Sequence, residues 1–207
     1  YWLFLGNRLL RIYPLYWVVL VLTVLISLLA IPILGNFGLL DGYIDHYHEL
    51  SAVALWSIAL SNFTVLGQDI ILFCGVNAGG ELILNPSGDL SAYSLNTLKL
   101  IPQAWTLSLE LMFYMMAPFL FRRSTHTLFV MIGVSLALRG YGYFILNLDH
   151  SPWDYRFFPF ELALFLSGGV AFRMYLKYRN HFSDIKYLQF SVVTIYITLI
   201  FSYPLYE

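Results

Sequence analysis

Residues 12–34 form an almost uninterrupted apolar run, and the chain repeats the pattern near 103–121, 126–147, 157–176 and 187–203. Runs of this kind approach the roughly 20 apolar residues needed to cross a hydrocarbon core. Only 11% of the 207 residues are charged and 59% are hydrophobic, against about 25% charged in an ordinary soluble domain. Too few polar residues remain to cover a water-facing surface. Backbone groups in lipid must be satisfied within their own segment, so helices are the expected spanning elements. The predicted fold is an all-α, polytopic transmembrane helix bundle of about five spans. A sixth apolar run, 51–74, carries Ser61, Asn62, Gly67, Gln68 and Asp69 and is expected to be half-buried or re-entrant.

The placement of Lys and Arg sets orientation. With 51–74 not crossing, Arg8, Arg11, Arg122, Arg123, Arg173, Lys177, Arg179 and Lys186 fall on one side. These are eight of the eleven basic residues, so that side is predicted to be cytoplasmic. The acidic stretches "DGYIDHYHE", "GQD" and "LDHSPWD" then face the other way, with 67–103 as a long non-cytoplasmic loop. No basic run points to nucleic acid. Cys74 is the single cysteine, which leaves no disulfide within these residues. His46 and His48 in "DHYHE" read as solvated surface, and no metal site is expected. "NFT" at 62–64 matches a glycosylation sequon but lies in an apolar run, where chance is the better reading. The chain opens at Tyr1 without a methionine and stops just after an apolar run, and is expected to be part of a longer membrane protein.

Ionisable groups within spans cost about 2.5–3.5 kcal/mol on insertion scales and so point to interior or wet positions. Glu110, Arg139 and Glu161 qualify. Helical spacing puts Thr106, Glu110 and Tyr114 on one face, with Ser108 offset and Trp105 opening the helix. Glu110 either pairs with an arginine to hold helices together, or orients or deprotonates a reacting group. Arg139, followed by glycines, pairs with Glu110 or Glu161 or holds an anion. Arg8 and Arg11 share a helix face; they either anchor topology or hold phosphate, which a guanidinium fork suits.

Two stretches together resemble the acyltransferase family 3 membrane proteins, which O-acylate carbohydrates. In "RLLRIYP", Arg8, Arg11, Ile12 and Pro14 match that family's Arg-x-x-Arg followed by Ile-x-Pro. In "WTLSLELMFYMMAP", Trp105, Thr106, Leu107, Glu110, Phe113, Tyr114 and Pro118 match its Trp-Ser/Thr-Leu-x-x-Glu, Phe-Tyr and later Pro. The resemblance implies that residues 1–207 are part of one transmembrane acyltransferase domain in a bacterial inner membrane. The implied activity moves an acyl group, typically acetyl, from acyl-CoA as co-substrate to a hydroxyl of an envelope or exported carbohydrate. No bound cofactor is implied. Arg8 and Arg11 would bind the donor and Glu110 would be catalytic. Arg139, Trp105, Ser108, Tyr114 and Glu161 are candidates for contact with substrate or transition state. The base implied by the family is a histidine on a helix that would precede Tyr1. The alternative is a transporter or exporter of an anionic or lipid-linked substrate, in which the same charges line a pathway.

Overall fold

A computed structural model describes residues 1–85, 93–179 and 194, with the backbone alone at 31–34. Residues Tyr1–Leu166 form one compact unit and Ser167–Glu207 a second. Seven α-helices are described: α1 (Trp2–Leu34), α2 (Asp41–His46), α3 (Ala52–Thr64), α4 (Gln68–Ile71), α5 (Trp105–Leu120), α6 (Thr125–Phe144) and α7 (Phe158–Tyr178), the last running across the division between the units. Three short strands, β1 (Cys74–Val76), β2 (Leu82–Leu84) and β3 (Tyr93–Ser94), join them.

The expectation of about five spans is not met. Among the described residues two helices are long and apolar enough to cross a membrane, Trp2–Ala30 within α1 and α6. Helix α5 has sixteen residues, a rise of about 24 Å, and falls short of the roughly 30 Å hydrocarbon core. In α7 the apolar stretch is interrupted by Glu161, Arg173 and Lys177. Of the run at 187–203 only residue 194 is among the described residues, and Lys186 lies outside them. The 51–74 run divides. Ser51 caps α3 by accepting from the Ala54 N–H at 3.3 Å, and α3 stops after thirteen residues at Val65, whose φ is +67°.

The described residues of the 67–103 segment include three short strands, and the fold is therefore not purely α. Its strands form an antiparallel sheet in the order β2-β1-β3, with Gly75 opposite Ile83 in one pairing and Ser94 in the other. Gly80 closes this region against the turn between α2 and α3, where its carbonyl accepts from the Ser51 N–H at 2.8 Å. Its φ is +79°, and an added Cβ would stand 2.1 Å from the Glu49 carbonyl oxygen. Only glycine tolerates both the left-handed backbone and that approach.

Helices α1 and α5 run antiparallel. Tyr1 packs on Phe119 and Phe4 on Tyr114, with ring centroids 5.9 and 6.0 Å apart, while Tyr16 meets Ala104 and Leu111 further along. The same stretch of α1 also docks α3. Tyr13 and Tyr16 donate to the carbonyls of Thr64 and Asn62, each at 2.5 Å, and Trp17 donates to that of Phe63 at 3.1 Å. These are the last carbonyls of α3, which have no partner within their own helix. Three side chains of α1 thus complete the end of α3.

Candidate functional site

The antiparallel pairing brings the two sequence motifs to one place. Arg8 and Arg11 on α1 and Glu110 and Tyr114 on α5 line a single cavity of about 370 Å³, walled further in by Tyr16 and Leu107. On α1 the lining residues fall three or four apart, as one helix face requires. The Arg8 guanidinium carbon lies 5.1 Å from the centre of the Tyr114 ring and 5.6 Å from that of Phe4, within cation–π range. The Tyr114 hydroxyl donates to the Glu110 carboxylate. Carboxylate, phenol and guanidinium therefore form a chain of contacts at the charged end of the cavity.

The remaining candidates lie elsewhere. Thr106 is exposed and donates to the Gln103 carbonyl at 3.0 Å, so the predicted stripe on α5 contributes only Glu110 and Tyr114 to the cavity. Ser108 lies on the opposite face of α5. It is fully buried and donates to Asp69 Oδ1 at 2.6 Å. Trp105 packs 5.3 Å from the Tyr155 ring and 5.1 Å from the Arg156 guanidinium. Arg139 pairs with Glu161 at 3.0 Å and donates to the Asp154 carbonyl at 3.0 Å. Of the partners left open for Arg139 by sequence, Glu161 is the one the structure provides. Beside this pair Ser135 joins α6 to α7, donating to the Pro159 carbonyl at 2.6 Å and accepting from the Ala163 N–H at 3.0 Å.

Sequence reading missed a second polar group of residues behind α5. Asp69 is buried on α4 and Lys99 is 1% exposed, although it follows a short helical turn at Leu95–Leu98. Asn62 holds the backbone on both sides of Lys99. Its amide donates to the Leu98 carbonyl at 3.1 Å, and its oxygen accepts from the Leu100 N–H at 3.2 Å. The same amide donates to the Tyr43 hydroxyl at 2.6 Å. Asn62 is thus a buried structural clamp, unavailable for glycosylation in the folded chain. Burial pushes the Lys99 amine down to about 8, the positive charge of Arg156 adding to the shift and Asp69 opposing it. The Nε of Arg156 is also buried, without a hydrogen-bond partner among the described residues. The signal available in sequence was Lys99 itself, a lone lysine between apolar residues.

His46 contacts Glu49 at 3.0 Å at the surface. Among the described residues no three His, Cys, Asp or Glu side chains converge as a metal site. Comparison of the chain with protein-family models, with curated proteins and with solved structures finds no match.

Proposed function

We propose that this chain belongs to an integral-membrane O-acyltransferase that moves an acyl group from acyl-CoA to a carbohydrate hydroxyl. One observation carries the reading: two motifs about a hundred positions apart, each pointing toward the same family, line one cavity with cations at one end. Arg8 and Arg11 hold the donor's phosphates through charge-assisted hydrogen bonds. Of the two functional roles that sequence leaves open for Glu110, its contacts favour the orienting one. Its carboxylate fixes Tyr114, and the Tyr114 ring supports Arg8. In the reaction, the sugar oxygen attacks the thioester carbonyl carbon as its proton passes to a general base. The C–S bond breaks, and the CoA sulfur leaves and takes up a proton. The base is the histidine that the family resemblance places on a preceding helix.

The C-terminal end of α5 packs against the start of α1, and Arg122 and Arg123 follow it directly. This adjacency supports placing all four arginines at the cytoplasmic face of a bacterial inner membrane, where acyl-CoA is available. Arg139 and Glu161, joined to each other, fit a role in holding α6 to α7.

In the intact protein, R8A/R11A abolishes acylation of carbohydrate while membrane expression is retained. E110Q raises the KM for acyl-CoA more than it lowers kcat, as a positioning residue requires. Thiol release with an acyl-CoA and a carbohydrate acceptor measures both. Full acylation by R8A/R11A would return the arginines to topology anchoring and remove the support for this function.

A further inference from the structure

The cavity has a direction. Its charged end holds Arg8, Arg11, Glu110 and Tyr114; its other end is lined by Leu15, Val19 and Ile101. At 1.5 Å per residue, Arg11 to Val19 spans about 12 Å and Arg8 to Val19 about 16 Å along α1. The pantetheine arm of CoA has about the backbone length of four extended residues, roughly 14 Å. A donor whose phosphates rest on the arginines therefore delivers its thioester beside Tyr16 and Val19, beyond Glu110. Tyr16 is a fixed wall there, because its hydroxyl donates to the Asn62 carbonyl at 2.5 Å and accepts from Gln68 Nε2 at 3.4 Å. A volume of about 370 Å³ is near the lower limit for a small-molecule site, and the arm itself occupies most of the length.

We infer that the apolar end of the cavity is the acyl pocket, and that Val19 and Ile101 confine it to short acyl groups. This rests on the acyl-CoA reading. Ile101 precedes α5 and faces the cavity from the side opposite α1. Val19 is 40% exposed, so a larger side chain there adds bulk to the pocket without disturbing a packed core.

The test uses the intact protein in detergent with acetyl-, butyryl- and hexanoyl-CoA, following thiol release and acylated carbohydrate. V19W should lower kcat/KM for butyryl- and hexanoyl-CoA relative to acetyl-CoA by about tenfold or more, the scale of a methylene-sized misfit. I101A should move the ratio the other way, toward the longer donors. An unchanged ratio in both variants overturns the acyl-pocket assignment and leaves the acyl-CoA reading standing. No turnover by the wild-type protein with any of the three donors overturns both.

Discussion

The two faces of α5 carry similar chemistry to opposite ends. On one, Glu110 and Tyr114 look onto an open cavity with Arg8 and Arg11 across it. On the other, Ser108 is sealed against Asp69, with Lys99 and Arg156 close enough to act electrostatically. Each face sets a carboxylate beside two cations. Arg11 is exposed and free to exchange water for a ligand, whereas Lys99 is held out of water by a clamped backbone. Cations at a cavity wall are available for binding; a buried cation first has to be tolerated by the fold. The same residue types thus line an open cavity on one side and form a structural liability on the other.

The largest expected difference is in stability. D69A removes the carboxylate that opposes the repulsion between Lys99 and Arg156, and it strands the Ser108 hydroxyl. Losing this buried charge-assisted hydrogen bond and leaving its partner unpaired costs about 1.5–3 kcal/mol. R8A/R11A, by contrast, should stay within about 1 kcal/mol of wild type, since only half-buried stacking is lost. Chemical denaturation in detergent reads both. Equal losses would mean that the cavity arginines are as structural as the sealed cluster.

This contrast also marks what was legible in the sequence. Arg8 with Arg11, and Glu110 with Tyr114, stand out because helical periodicity sets each pair on one face. The α6 boundaries, Thr125–Phe144, agree with the apolar run at 126–147. Periodicity within one segment also invites reading Ser108 as an edge of the Glu110 stripe, yet its partner Asp69 lies 39 residues away. The burial of Lys99 depends on Asn62, again from a distant segment. Contacts of that range leave no local pattern. Span count fails for a different reason: apolar composition does not fix helix length, so α5 starts only after Pro102, and Glu161, Arg173 and Lys177 break the apolar stretch of α7.

The next effect should depend on pH. Lys99 has a folded pKa of about 8, against an ordinary value of 10.5. Below pH 8 the amine is protonated in both states, and the folded chain bears the full cost of a buried ammonium. Between pH 8 and 10.5 the unfolded chain binds more protons than the folded one, so stability rises with pH. K99M keeps the volume nearly constant and removes that slope. It should stabilise the protein at pH 7 by on the order of 2–3 kcal/mol, with the gain vanishing above pH 10.5. Denaturation midpoints of the two proteins that run parallel from pH 7.5 to 10.5 would show that the ammonium is already compensated.

The smallest effect belongs to the cavity face and tests whether its contacts work as a chain. Y114F keeps the ring under Arg8 but deletes the hydroxyl that Glu110 accepts. A partly exposed hydrogen bond to a carboxylate contributes about 1 kcal/mol, equivalent to roughly a fivefold change in an equilibrium. If Glu110 acts through Tyr114, Y114F should raise the KM for acyl-CoA by about that factor with kcat nearly unchanged, and E110Q should add little once the hydroxyl is gone. Residues in one network deviate from additivity in this way, while independent ones do not. Additive effects of Y114F and E110Q would separate Glu110 from the Arg8 clamp and give its carboxylate a direct role toward the substrate.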